Sequence, residues 1–494
     1  MKPSVCIIGA GIGGLTAGAF LAKDGFDVTI LEKATTVGGS AGFYYRNNRR
    51  FPTGATIAFG LEEGGVLKNL LAKLGMNPPF MELLHPMDVI LPDREVSIYK
   101  DKSEWEKELQ LSFSERKEDV LLFWEKLEQI GEDVLSVTKS EVSLPIQRIY
   151  DLGTLPSFAV KNPLSLARLA KYTTWTVEKL LNAYKLDTYM PLRQFLNAQL
   201  VDAVQTDVSK AALLPSSVAL SIYRKGSFVF ENGMGQLCEL LEEEIRKKGG
   251  RVYLSSPLKD VAYDATSKQW KVESRKCNST FSTIINNSGV SFGDKTSYEA
   301  DDFSWGAFRI DGTVKVDILD QLLGKTLPFA YQIVSDNPHV NKYCHNPIYV
   351  TFHQSKNSAG ENVLDEVMMT ISVHTEENKW LQLSKESYNE NKVLLMELLL
   401  EEVEKNFRLK EHLLFAEAGT PVTYKKFMGK SKVGGFPLTI TNAVLKPRSF
   451  RTNLPNWYIV GEHTFPGPGT LSSALSGYYV SRAITKEYFK KSEH

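Results

Sequence analysis

The stretch that most restricts how this chain folds is SVCIIGAGIGGLTAGAFLAKDGFDVTILEK, residues 4–33. VCII is short, apolar and partly β-branched, the composition of a strand buried on both faces of a parallel sheet. GAGIGG follows at once and matches GxGxxG with Gly9, Gly11 and Gly14. LTAGAFLAK reads as a helix stopped by Gly25, and FDVTILEK as a second strand finishing at Glu32. Together they make a βαβ unit.

Residues 3–22 carry no charge, with Lys2 before them and Lys23 after, so an export signal and a membrane anchor compete with this reading. Five glycines, at 9, 11, 13, 14 and 18, weaken a continuous apolar helix. The strand–turn–helix division is therefore preferred, and neither signal nor anchor is expected.

Each residue of the turn has a physical reason. Gly9 permits the tight bend, and Gly11 lets the backbone approach a pyrophosphate without a Cβ in between. Gly14 and Gly18 let the helix lie close on the sheet. The helix start presents free N–H groups and a positive dipole end to phosphates. Glu32 is placed to accept from both hydroxyls of an adenosine ribose. The whole predicts a dinucleotide site.

Composition bounds the rest. The chain has 494 residues, enough for more than one packing unit, with 43% hydrophobic and 23% charged residues. Lys plus Arg and Asp plus Glu both number 58, a balance that gives no support for nucleic-acid binding. Cys6, Cys238, Cys277 and Cys344 are widely spaced, as expected of reduced thiols in a cytoplasm. His339, Cys344, His345 and His353 fit no zinc spacing, so no metal is expected. GxSxG and HExxH are both absent.

Beyond Glu32 come VGGSAG, with the Gly38–Gly39 doublet, and FYYRNNRRFPTGAT, with Gly54. Near the other end, NWYIVGEHTFPGPGTLSSALSGYYV reads as a strand, Gly461–Glu462, a Gly/Pro loop, and a helix from about Thr470. Between them, MGQLCELLEEEIRKKGGRVYLSSPLKDVAYD holds a helix, a Gly–Gly stop and a strand before Pro257, and STIINN (282–287) a further strand.

These pieces resemble the FAD-containing amine oxidase and phytoene desaturase superfamily. AGTPVTYKKFMGKSKVGGFP (418–437) and FPTGATIAFG (51–60) are similar to the carotenoid isomerase and retinol saturase branch. The resemblance implies FAD contacts at Gly9, Gly11, Gly13, Gly14, Glu32, Lys33, Gly39, Ser40, Gly54, Ala55, Leu258, Gly461, Glu462, Thr470 and Leu471. Leu258 is implied at the adenine edge and Glu462 at the ribityl or phosphate portion. Thr470 and Leu471 are implied at the flavin edge that gains negative charge on reduction. It implies an α/β fold: a Rossmann-like FAD-binding domain of three discontinuous segments (1–105, 215–300, 425–494) with an inserted α+β substrate domain (106–214 and 301–424).

The inserts are read from their own patterns. Residues 112–135 and 162–184 have helical apolar spacing, with Ser114 and Asn162 as expected caps. WGAFRI, IYVTFHQ and VMMTISV read as strands, and 387–407 as a long helix. The segment 150–200, with Arg168, Lys171 and Lys179 among Leu and Trp residues, reads as a core helix or as a peripheral membrane contact.

The expectation is an FAD-dependent oxidoreductase acting on a carotenoid-like polyene or other apolar lipid, by desaturation or isomerisation. Electrons would pass to or from an external carrier such as oxygen or a quinone. An amine or amino-acid oxidase shares the framework, as does a non-enzymatic FAD- or lipid-binding protein. No acid or base in the inserts stands out as catalytic.

Overall fold

The computed structural model describes residues 3–292, 305–322 and 329–492. Its first sheet has five parallel strands in the order Trp457–Ile459, Thr283–Asn286, Ser4–Ile8, Asp27–Leu31 and Arg251–Tyr253. The strand at 4–8 is central, with Ile7 registered between Ile285 and Ile30. All three isoleucines are fully buried, each contributing roughly 1.5–3 kcal/mol by leaving water.

Helix Ile12–Lys23 lies on this sheet, flanked by helices Met234–Lys247 and Thr470–Ser492. Gly18 explains the close seat: a Cβ there would stand 3.1 Å from the Cδ1 atoms of both Ile245 and Ile30. The helix ends at Gly25, whose φ of +89° is the left-handed geometry expected of it. A three-stranded antiparallel sheet, 258–281, covers the other face and packs Trp270 against Trp457 at 4.8 Å.

The second sheet has seven strands. Their order is Leu413–Gly419, Trp305–Lys315, Asn362–Glu376, His345–Lys356, Phe329–Ile333, Met87–Ile90 and Glu95–Ile98. Period-2 alternation gives it two distinct faces. Phe308, Ile310, Val350 and Ile371 point to one side, where Leu395, Leu399 and Val403 of helix Lys385–Phe407 cover them. The opposite side faces the cavity described below. The strands at 87–98, read from sequence with the 1–105 segment, hydrogen-bond into this sheet through a parallel pairing with 329–333.

The first insert is a helical layer around Trp105, Phe123, Trp124, Leu127 and Phe195. The helix expected at 112–135 is Lys117–Thr138, and Ser114 lies in the short turn that separates it from an earlier helix, Lys102–Ser112. Lys117–Thr138 has no side-chain cap; Asp101 caps the earlier helix, accepting from Ser103 and Glu104 N–H at 2.9 and 3.0 Å. The helix expected at 162–184 breaks after Tyr172. Thr176 restarts it at Val177 by accepting from Lys179 N–H at 3.2 Å. Asn162 stands at the N-cap of Pro163–Tyr172 without a side-chain cap bond.

Among the described residues, no helix is long and apolar enough to cross a membrane. No group of three or more metal-ligating side chains gathers among them either.

Candidate functional site

The strand at 4–8 delivers its carboxyl end to the glycine turn, and the neighbouring strands bring their ends to the same edge. Gly9 takes a φ of +96°, a backbone angle that side chains disfavour. Gly38 N–H donates to Ala10 C=O at 2.7 Å, locking the doublet onto the turn. A Cβ on Gly39 would meet the Cα of Gly11 at 3.4 Å, so the two glycines face each other. The hairpin Phe43–Arg46/Arg49–Pro52 then returns the chain to the doublet. Thr53 Oγ1 donates to Gly39 C=O at 2.6 Å, and Ala55 N–H donates to Ser40 C=O at 3.0 Å.

Glu32 lies where the second strand ends. Its Oε2 accepts from Ala10 N–H at 2.6 Å and its Oε1 from Ala34 N–H at 2.7 Å. Burial pushes this carboxyl above its ordinary value, against the opposing pull of those N–H groups. Each oxygen keeps a second lone pair. The group is held rigidly and still accepts.

From the far segment, Gly461 N–H donates to Ser476 Oγ at 2.8 Å, tying the strand end to helix Thr470–Ser492. A Cβ on Gly13 would stand 3.0 Å from Ser473 C=O and 3.1 Å from Gly461 Cα. The two glycine turns are therefore in contact. Burial opposes the charge of Glu462, but Lys430 and His463 outweigh it and hold the carboxyl below its usual range; Lys430 bonds it directly.

Gly9, Gly11, Gly13, Glu32, Lys33, Gly39, Ser40, Gly54, Ala55, Leu258, Gly461, Glu462, Thr470 and Leu471 all line one cavity of about 1880 Å³. Gly14 does not. A Cβ there would sit 2.6 Å from Gly9 C=O, so it serves the seating of the helix beneath the turn.

Several lining residues were missed from sequence. Asn287 Nδ2 donates to Gly9 C=O at 3.3 Å, and its amide also stands where a Cβ on Gly11 or Gly461 would go. Its place directly after a sheet strand was the available signal. Arg309 and Asp311 alternate along the strand 305–315 and pair through Nε and Oδ1 at 2.7 Å. Tyr44 donates to the other carboxylate oxygen of Asp311, also at 2.7 Å. Charges at i and i+2 in the otherwise apolar WGAFRID were the clue. Asp202 faces the cavity beside Tyr223 and Tyr349; its surface is open to the cavity, and withdrawal from bulk solvent raises its carboxyl to about 6.

The cavity continues from the glycine turns into the space between the two inserts. Leu169, Leu214, Val218 and Ile222 form an apolar helical wall there.

Residues 7–74 match the model of an NAD(P)-binding Rossmann-like domain. The chain is 22% identical to the chloroplastic prolycopene isomerase of Daucus carota over 504 residues, 97% of this chain and 80% of the relative. Against the all-trans-retinol 13,14-reductase of Homo sapiens it is 21% identical over 301 residues, 58% of this chain and 48% of that one. A 57-residue stretch is 46% identical to a phytoene desaturase of Fusarium fujikuroi, 12% of this chain and 10% of the relative. The chain is homologous to this group.

Cyclohexylamine oxidase from Brevibacterium oxydans IH-35A has a similar structure, with a TM-score of 0.59 at 14% identity, covering 99% of this chain and all of that one. The fold of this chain is thus similar to that of the oxidase and is the α/β arrangement read from the sequence: a Rossmann-like parallel sheet built from three chain segments, with α+β inserts between them.

Proposed function

We propose that the chain is an FAD-dependent oxidoreductase acting on a carotenoid-like polyene or another apolar lipid, by desaturation or flavin-dependent isomerisation. The observation that carries this reading is the single cavity, in which a glycine-lined cradle opens directly onto an apolar helical wall. The cradle fits FAD: Gly11 and Gly13 line it and pack too closely on Asn287 to carry a Cβ, Glu32 stands ready for a ribose, and a helix start is aimed into it.

When bound, the flavin supplies a two-electron donor or acceptor. The protein's part is to position and to exclude water. Glu32 accepts from the adenosine ribose, and Leu258 borders the adenine. Gly39, Ser40, Gly54 and Ala55 flank the middle of the cofactor. The free N–H groups at Thr470 and Leu471 stabilise negative charge at the flavin edge. Division into a cofactor unit (1–105, 215–300, 425–494) and a substrate unit (106–214, 301–424) belongs to the same reading. So does an external electron carrier, oxygen or a quinone.

A peripheral membrane contact through 150–200 would deliver such a substrate. Val160 and Leu164 are 83% and 73% exposed beside Lys161, an arrangement suited to an anionic lipid surface. Flotation with anionic liposomes tests it, and equal recovery with and without vesicles would end the idea.

The decisive experiment is co-expression with a carotenoid-producing pathway, followed by pigment chromatography and a flavin spectrum. Altered pigments with bound flavin are expected. A second reading, amine oxidation, is favoured by Asp202, an acid in the cavity wall with two tyrosines for neighbours, which suits an ammonium group. Unchanged pigments together with peroxide formed from amines would select it.

A further inference from the structure

Among the described residues five acids line the cavity: Glu32, Asp202, Asp311, Glu417 and Glu462. Four have partners that hold them. Glu32 accepts from two backbone N–H groups, and Asp311 from Arg309 and Tyr44. Glu417 pairs with Arg46 at 3.0 Å, and Glu462 with Lys430. Asp202 is the exception. Its carboxylate has no hydrogen bond and no ion pair among the described residues, and its surface is open to the cavity.

Asp202 lies in the last turn of helix Met190–Val204, which packs on Leu213–Ser221, the helix that carries Leu214 and Val218 of the apolar wall. The end of the helix is fastened to the cofactor side. Val204 C=O accepts from Leu438 N–H at 2.9 Å, and a Cβ on Gly467 would stand 2.8 Å from Leu438 Cδ2. Tyr223, which feels the charge of Asp202, sets its ring edge-on to Phe59 with centroids 5.3 Å apart. A Cβ on the next residue, Gly60, would meet Leu471 Cδ2 at 3.3 Å. Both connections end in the segment 461–471, where the flavin edge is expected. Asp202 therefore stands where the apolar part of the cavity meets the cofactor part.

The titratable groups that respond to this carboxylate are the phenols of Tyr223 and Tyr349, and burial together with its charge keeps both neutral. With its own value raised to about 6, Asp202 is ionised at neutral pH and has no cation paired to it. Carboxylates that serve structure are held by partners, as the other four are. A hydrocarbon isomerised by the flavin alone has no use for an unpaired one. An accessible carboxylate that titrates close to working pH is suited to taking a proton.

We propose that Asp202 is a catalytic base, whose carboxylate takes a proton from the substrate carbon next to the one that gives up hydride to the flavin. Two C–H bonds break on adjacent carbons. One hydrogen leaves with its electron pair to the oxidised flavin, and the other leaves as a proton to Asp202. The electron pair of that second bond closes the new double bond. Oxygen or a quinone then takes the two electrons from the flavin, and the carboxyl releases its proton to solvent. The inference rests on the lipid reading above and commits it to desaturation.

The test uses the flavin-loaded full chain without oxygen, phytoene in liposomes as substrate and squalane as an inert ligand. Bleaching of the flavin by phytoene in one turnover is expected to slow about tenfold for each pH unit below about 6 and to level off above it. Asp202→Asn is expected to slow bleaching about 10²–10⁴-fold and to erase that limb, with retained flavin and phytoene binding little changed. Asp202→Glu, which keeps a carboxyl, is expected to recover part of the rate and the limb. A second readout needs no turnover. The infrared band of the protonated carboxyl titrates near pH 6, and squalane, by displacing water from it, is expected to move that titration upward. A titration that squalane leaves in place overturns the proposal, whether or not either variant folds. So does an unchanged rate in Asp202→Asn, or a pH limb that survives it. A variant that loses flavin or phytoene binding in step with its rate gives Asp202 a structural part and overturns it too. Pigment isomerised by a protein whose flavin phytoene never bleaches overturns the base and leaves the lipid reading standing. Flavin bleached by amines and by no polyene defeats the lipid reading itself.

Discussion

Asn287 lays its amide against the carbonyl of Gly9, joining the end of one sheet strand to the glycine turn of its neighbour at 3.3 Å. The two residues are remote in sequence, yet Asn287 stands over Gly11, Gly13 and Gly461 as well. It lies where phosphate oxygens of a bound dinucleotide are expected. Asn287→Asp puts a negative charge there and is expected to lower retained flavin about tenfold or more, with Asn287→Ala milder. Flavin absorbance per protein after gel filtration checks this.

Gly14→Ala is expected to destabilise the fold rather than to act on the cofactor alone. The new Cβ would stand 2.6 Å from a backbone oxygen, that of Gly9, so the helix has to shift. Overpacking of this kind costs about 1–3 kcal/mol. A lower denaturation midpoint in the flavin-free protein is the expected result.

Arg451 forks onto Asp151 with Nη1 and Nη2 at 3.0 Å from the two carboxylate oxygens. The pair fastens the C-terminal segment to the first insert, and Asp151 is almost wholly buried. Arg451→Met removes the charge partner but leaves Asp151 the N–H groups of Gln147 and Arg148, and is expected to cost about 1.5–3 kcal/mol. Urea denaturation of the variant measures it. Asp151→Asn in the same chain is expected to recover part of the loss.

Asp202 predicts a pH dependence with a definite sign. Desolvation raises its carboxyl from 3.8 to about 6 in the folded chain. Between those values the folded state holds more protons than the unfolded one, so this group's contribution to stability falls as pH rises. Asp202→Asn removes that penalty. The melting temperature of the variant is expected to match the parent near pH 4 and to exceed it increasingly up to about pH 6. Parallel curves across that range would refute the assignment.

Local features of the fold were legible because local pattern specifies them. GAGIGG, the acid at 32 and the late GEHTFPGPGT each carry their own turn and helix-start chemistry. The cavity-facing side of the seven-stranded sheet was half legible. Phe308 and Ile310 alternate with Arg309 and Asp311 in plain sight, but which side meets the cavity depends on pairing with Ser372 and Thr370. That pairing is not written in the strand itself. Asn287 was hidden for the same reason, since its partners come from the first and last segments. The break at Tyr172 was a local competition: Thr176 bonds Lys179 N–H and starts a new helix where apolar spacing alone continues the old one.

The order of the five-stranded sheet also dictates a timetable for biosynthesis. The strand at 4–8 and its helix are made well before most of their partners: one neighbouring strand is made at 283–286, and the outer strand and covering helix only at 457–492. At ordinary elongation rates that interval lasts roughly tens of seconds. During it, the opening strand at first has only one of its two neighbours, the strand at 27–31, and its helix lacks the later helices that cover it. The nascent chain is therefore expected to need chaperone protection, and cofactor capture can only follow synthesis of the strand and helix at 457–492.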